Sequence, residues 1–360
     1  MQVADSVTHH FQIDGRVIEE GAIERGHINE TRFVVVDNEG DIKRYVHQRI
    51  NAHIFPDPPK MMDNIARVCA HLLRKRGNPE EILQLVPIHE GLSYYRDDNG
   101  EYWRTYRFVE NTKVYDIVES PEVAYQAAVA FARFVRDIGD LDHARLHLTI
   151  PGFHHTPQRV EVFERTIPEA TPERKAAAAA EIDFARRNED LAEKLVSVMD
   201  VRPDTIRAVH NDTKVNNVLF HQETGEAVCV LDLDTIMPGT ILFDIGDLIR
   251  TACNKAAEDE PDIDCVEFNL QTFQAVIEGY ADVLGSDLTE EEWDALPYAG
   301  IVMTYQQGVR FLTDYLDGDH YFGIHYPEHN LVRTKCQFAL TQKMLDALPE
   351  MTRIVEECRA

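Results

Sequence analysis

The sequence predicts an α+β, two-lobed architecture, with a small antiparallel-sheet lobe at the amino end and a larger, mainly helical lobe after it. Three observations carry this. β-Rich runs separated by Gly, Asn and Asp turns crowd into residues 1–110. Capping residues followed by proline recur from residue 120 onward. A single island of short strands, between residues 206 and 233, interrupts the helical part. The lobes are expected to divide as 1–110 and 111–360, with a ligand cleft between them.

Taken in order, the elements begin with a hairpin. A turn at Arg25-Gly26-His27-Ile28-Asn29 precedes the apolar run Phe33-Val34-Val35-Val36, and Asn38-Glu39-Gly40-Asp41 turns the chain into a second run over 42–50. Asp57-Pro58-Pro59 opens a helix whose Met61, Ile65, Val68 and Leu72 share one face. Strands are expected over 82–88 and 102–109, the second fed by the turn Asp97-Asp98-Asn99-Gly100. Ser120-Pro121, Thr156-Pro157 and Thr171-Pro172 each set an N-cap residue before a proline at the first helical position, where a missing N–H costs nothing. Residues 176–180 are a helix-favouring alanine run. Short strands follow at 206–209, 218–220 and 227–233, the last two joined by Glu223-Thr224-Gly225. Thr289 and Glu292 form a capping box for a helix reaching Leu316, and a further helix is expected over 331–348.

Composition narrows the function. The 360 residues, 44% hydrophobic and 28% charged, suffice for a sizeable core and exclude a disordered chain. A net charge of −27 repels phosphate backbones and anionic headgroups, so neither nucleic acid nor membrane is an expected partner. No stretch approaches the ~18 apolar residues of a spanning helix, and the opening MQVADSVTHHF lacks the basic and apolar regions of a signal peptide; a cytoplasmic protein is expected. Six cysteines without a CxxC pair fit reduced, buried thiols, and the sixteen histidines show no metal-binding spacing. The acidic run 258–264 reads as a solvated interhelical loop. No coiled-coil heptad occurs, and a monomer is expected.

The strongest chemical signal is His210-Asn211-Asp212-Thr213-Lys214-Val215-Asn216-Asn217, set between two short strands and followed, 20 residues after Asp212, by Leu231-Asp232-Leu233-Asp234. Phosphoryl transfer from ATP needs a carboxylate to orient the attacking hydroxyl, and an amide oxygen with a second carboxylate to hold Mg2+ against the triphosphate. On this reading Asp212 is the catalytic base or orienting group, Asn217 and Asp232 hold the metal, Lys214 meets the transferring phosphate, and His210 braces the loop. Asp, Asn and Thr serve a plain solvated loop equally well; the flanking strands and the downstream Asp232 favour the chemistry.

With these blocks in place, the sequence resembles the aminoglycoside phosphotransferase and choline kinase superfamily, which has the protein-kinase-like fold. Within it the chain is most similar to the N-acetylhexosamine 1-kinases, which phosphorylate the anomeric hydroxyl of GlcNAc and GalNAc. The closer match rests on residues 26–29 (GHIN), 210–217 (HNDTKVNN), 231–239 (LDLDTIMPG), 243–247 (FDIGD), 310–316 (RFLTDYL) and 326–334 (YPEHNLVRT). The resemblance implies a nucleotide loop at Gly26, His27, Ile28, Asn29 and Thr31, and a hinge over 106–110 whose Phe108 and Val109 wall the adenine. It implies that Asp244 ties down the catalytic loop and that Asp212, Arg310, Tyr321, Thr235 and Thr251 contact the sugar; Asp247, beside the helix start after Ile241-Leu242-Phe243, reads as a helix cap.

Two departures accompany the match. The superfamily's strand lysine, which holds the α- and β-phosphates, falls at Gln48, and the helix over 58–76 lacks the glutamate that pairs with it. Because both halves are missing together, a different phosphate clamp is expected, with Arg49, Arg104 and Arg107 as candidates. The resulting expectation is an ATP- and Mg2+-dependent sugar 1-kinase acting on a small-molecule sugar. A kinase of choline, homoserine or an aminoglycoside is the nearest alternative, and a catalytically silent nucleotide- or sugar-binding protein a further one.

Overall fold

A computed structural model of the chain describes residues 7–23 and 29–359. Strands β1 (Arg16–Ala22), β2 (Glu30–Asn38), β3 (Asp41–Ile50), β4 (Tyr95–Arg96) and β5 (Tyr102–Arg107) form one antiparallel sheet in the order β1-β2-β3-β5-β4. Glu39 and Gly40 join β2 to β3 with φ of 54° and 94°. Two positive φ values give the tight turn whose twist matches that of the strands. The sheet is covered on both faces. Val34, Val36, Tyr45 and Trp103 cluster with Phe11 and Ile13 of the amino-terminal segment, while Ile50 and Tyr106 join Met61, Met62 and Ile65 of α1 (Pro58–Arg76). Asp57 caps α1 by accepting the Lys60 amide at 3.2 Å.

The strand expected over 82–88 does not form. Only isolated bridges, Leu85 to Tyr106 and Phe11 to Ile88, are made there. Ile82, Leu83, Val86 and Ile88 are buried, as their hydrophobicity requires, but Pro87 has no N–H to continue a ladder.

The helical lobe comprises α2 (Pro121–Ile138), α3 (Thr156–Glu169), α4 (Pro172–Ala177), α5 (Ala179–Arg187), α6 (Glu193–Val201), α7 (Ile241–Ala252), α8 (Leu270–Leu284), α9 (Glu290–Asp317), α10 (His329–Asp346) and α11 (Leu348–Arg359). Between α2 and α7 lie the short strands β7 (Arg207–Val209), β8 (Val218–His221), β9 (Ala227–Val230) and β10 (Met237–Gly239), and β6 (Thr112–Lys113) pairs with β8. Both halves of the expected capping box close the start of α9. Helix α3 begins one residue earlier than its sequence signal, with His155 capping through Nδ1 at 3.3 Å. Thr156 instead turns inward and accepts from Gln306 on α9 at 2.8 Å. The helix expected over 331–348 ends at Asp346 because Pro349, in the first turn of α11, starts a new one. Among the described residues no helix is long and apolar enough to cross a membrane.

Candidate active site

Strand β7 delivers the loop 210–217 and β8 takes it up again. Asn211 and Asp232 both lie in the left-handed region, with φ of 65° and 54°, a posture that non-glycine residues keep only where their surroundings fix it. Asp244, in the first turn of α7, accepts the amides of His210 (2.9 Å) and Asn211 (2.7 Å), and its carbonyl accepts the Thr213 hydroxyl. Burial pushes the Asp244 carboxyl up to about 7, against the pull of those two amides. Asn211 Nδ2 donates to the Thr235 carbonyl at 3.0 Å, and Thr235 Oγ1 donates to the His210 carbonyl at 2.8 Å. The Thr235 hydroxyl proton is thus committed to the loop. His210 Nε2 donates to the Leu231 carbonyl (2.8 Å), so Nδ1 accepts the Asp212 amide (3.2 Å). This is the neutral tautomer, in keeping with the downward push of burial on the imidazole.

Asp212 Oδ2 meets Lys214 Nζ at 3.1 Å and accepts Asn217 Nδ2 at 3.0 Å. Burial raises this carboxyl, but Lys214, His210 and Asn217 outweigh it and hold it below its ordinary value. The Asp212 charge in turn holds the Lys214 ammonium well above its usual range. An ionised carboxylate so oriented can take a proton from a hydroxyl. Asn217 spends its amide N–H on the Asp212 carbonyl (2.8 Å) and carboxylate, which leaves Oδ1 as an oxygen donor. The Asp232 carboxylate has no hydrogen-bond partner among the described residues, and burial with the charges of Asp234 and Asp212 pushes it up to about 7. The charges of Lys214 and Arg104 offset only part of this rise, and a carboxylate without a hydrogen-bond partner, beside an amide oxygen, suits a hard divalent cation completed by phosphate and water. Among the described residues no three His, Cys, Asp or Glu side chains gather into a metal cluster, so the protein alone supplies only part of such a shell.

The sheet side of the site is closed by Arg104 on β5, 1% exposed. Its fork grips Asp234 through both terminal nitrogens, one at 3.0 Å, and Nε donates to Gln48 Oε1 at 2.9 Å. Gln48 Nε2 donates to Thr31 Oγ1 at 3.1 Å, and Asn29 Nδ2 to Asp234 Oδ2 at 2.8 Å. Asn29 and Thr31 therefore serve this network; Gly26, His27 and Ile28 lie outside the described residues. Of the other candidate clamps, Arg49 pairs with Glu30 and Glu101, and Arg107 is exposed. Phe108 and Val109 are half-buried; the Phe108 amide donates to Arg44 O at 3.0 Å. They line a groove of about 1080 Å³ with Arg133 and Tyr125 that includes none of Asp212, Asn217, Asp232 or Arg310.

At the opposite end of the loop, His154 Nε2 donates to the Asn211 carbonyl at 2.9 Å. The neighbouring Phe153 ring meets that of His154 with centroids 4.3 Å apart. Arg310, half-buried on α9, lies over the rings of Phe153, Phe322 and Tyr321 at 5.3, 5.4 and 6.0 Å. Asp314, one turn further along α9, organises that platform by accepting the amides of His320, Tyr321 and Phe322 at 2.7–2.9 Å and Asn330 Nδ2 at 2.9 Å. Burial lowers the Arg310 pKa, and its neighbour Arg159, whose Nε has no partner among the described residues, falls to about 10 through burial and the Arg310 charge. Thr251 Oγ1 donates back to the Asp247 carbonyl at 3.0 Å. Asp247 is not a cap: it sits within α7 and pairs with Arg250 (2.9 Å), while Thr240 caps the helix. The acidic loop is exposed over 261–265, while Glu258 pairs with Arg250 and Asp259 with His329, each at 2.9 Å.

Asp234, Phe153, Arg159 and Asp314 join the site without a role that the sequence assigns. Asp234 and Asp314 lie within motifs already singled out; Phe153 and Arg159 carry no local signal. Comparison with known structures agrees with the bilobal, protein-kinase-like architecture. An aminoglycoside phosphotransferase from Alicyclobacillus acidocaldarius superposes with a TM-score of 0.67 at 14% identity, over 99% of this chain and 97% of that one. A microcompartment-associated aminopropanol kinase gives 0.64 at 15% identity, over 97% and 98%. A spectinomycin phosphotransferase in complex with ADP and spectinomycin gives 0.58 at 15%, over 91% and 94%. The sequence itself matches the model of the phosphotransferase enzyme family over residues 21–281, and the chain therefore belongs to that family.

Proposed function

We propose that the chain is an ATP- and Mg2+-dependent kinase that transfers the γ-phosphoryl group to the anomeric hydroxyl of N-acetylhexosamines, GlcNAc or GalNAc, giving the sugar 1-phosphate. The observation that carries this choice of acceptor is the pair Arg310 and Arg159, neither of which has a carboxylate within ion-pair distance among the described residues. Arg310 over aromatic faces, with the charge of Arg159 beside it, repels a cationic amine and offers hydrogen bonds to a neutral, hydroxyl-rich ring that stacks on such faces. The motifs over 231–239 and 326–334 support the same class.

In this reading Asp212 orients the anomeric hydroxyl and takes its proton. Lys214 lies beside the transferring phosphate, and Arg310 and Tyr321 hold the ring hydroxyls. Asn217 and Asp232 would hold Mg2+, which neutralises charge developing on the phosphates when bound. The rest is positioning.

Two observations favour a second reading, phosphorylation of a small amino alcohol: a net charge of −27 attracts cations, and an aminopropanol kinase shares the fold. Steady-state ADP release with Mg-ATP over GlcNAc, GalNAc, glucose, galactose, choline, homoserine and kanamycin separates them. Turnover with the acetylated sugars is expected; turnover confined to the amines would overturn the sugar assignment.

A further inference from the structure

The missing strand lysine and helix glutamate leave open what couples the sheet to the metal-binding segment. We propose that Arg104 and Asp234 are positioning residues that hold Asp232 in its metal-binding posture and link the sheet to that segment, an inference resting on the nucleotide half of the proposed function. The network runs from Thr31 on β2 through Gln48 on β3 and Arg104 on β5 to Asp234, two residues beyond Asp232. Asn29 reaches the same carboxylate from the start of β2.

Arg104 does not act as a direct phosphate ligand. All its nitrogens donate within the protein, and it is 1% exposed. Turning to a nucleotide would strand the buried Asp234, itself 3% exposed, without its counter-charge. What the pair can do is fix backbone. Asp232 holds a left-handed φ of 54° with no side-chain partner of its own among the described residues, so its direction is set by neighbours. On one side the Leu231 amide donates to Asn217 O at 2.8 Å; on the other stands the Arg104–Asp234 fork. Residues that orient a metal ligand without touching the metal typically change its affinity by about 10–100-fold.

The test is calorimetric titration of the full-length protein with ADP, once with EDTA and once with magnesium chloride. In Arg104→Lys, ADP affinity in EDTA is expected to stay within about twofold of wild type while affinity with magnesium falls about tenfold or more. Asp234→Asn should match it, and the double variant should be no worse than either single change, because the two act as one unit. Equal losses with and without magnesium would make Arg104 a phosphate ligand and overturn the proposal, as would unchanged affinity in both. Should the single variants not fold, Arg104→Met/Asp234→Leu removes both charges together and is expected to fold yet show the same magnesium-specific loss; normal magnesium-dependent affinity in it would also overturn the proposal. A wild type that binds no ADP would overturn this inference and the kinase reading together. A wild type inert toward every sugar, with the magnesium-specific loss intact, would sink the acceptor assignment and leave the role of Arg104 standing.

Discussion

The buried Arg104 and the half-buried Arg310 are two guanidiniums at the two ends of one site, and they are furnished in opposite ways. Arg104 donates to a carboxylate and an amide oxygen; Arg310 has the neutral Gln307 at 2.9 Å, the Tyr321 hydroxyl and three aromatic faces. A saturated arginine holds structure, whereas an unsaturated one retains donors for a ligand. Under the proposed function, the saturated arginine falls at the nucleotide and metal end and the unsaturated one at the acceptor end.

The largest effect should come from the carboxylate between the two ends. Asp212→Asn should lower kcat by about 10²–10⁴-fold while leaving the KM for ATP within a few-fold; steady-state kinetics check this, and a variant with most of its turnover would remove Asp212 from the chemistry. Arg310→Met should confine its damage to the acceptor, lowering kcat/KM for the sugar by about 10–100-fold, the worth of a hydrogen bond to a charged group, with ATP kinetics unchanged. Asp314→Asn loosens the platform under Arg310 and should raise the sugar KM about tenfold or less, with kcat less affected.

A last effect, on stability and not on turnover, concerns the sheet that carries Arg104. His47, 0% exposed on β3, bonds to Thr8 Oγ1 (2.8 Å) and Thr105 Oγ1 (2.7 Å). Burial depresses its pKa to about 4. The unfolded chain therefore binds a proton that the folded one refuses, and stability falls as pH drops from about 6.5 toward 4, by at most about 3 kcal/mol. His47→Gln should flatten that part of the Tm-against-pH curve.

What the sequence reveals follows the distance over which each feature is encoded. The loop over 210–217 spans eight consecutive residues, and the helix caps at Asp57 and Thr289 are read within four, so the place of each is legible. The Arg104–Asp234 pair joins positions 130 apart, and Asn29 reaches Asp234 across 205. Arg104 stood as one of three candidate clamps, and nothing local distinguished it or foretold that its role would be internal. Over 82–88 hydrophobicity reported burial correctly and strand pairing incorrectly, because Pro87 lacks the donor a ladder needs. Asp247 looked like a cap by its proximity to a helix start that actually lies at Thr240.

The central claim is that the acceptor end selects a neutral, hydroxyl-rich ring over a cation. Its most direct test is a single reaction with equimolar GlcNAc, GalNAc and choline, limiting Mg-ATP, and phosphorus NMR of the products. The account predicts phosphate appearing on the anomeric carbon, coupled to its proton, with little phosphocholine; phosphocholine as the main product would contradict it.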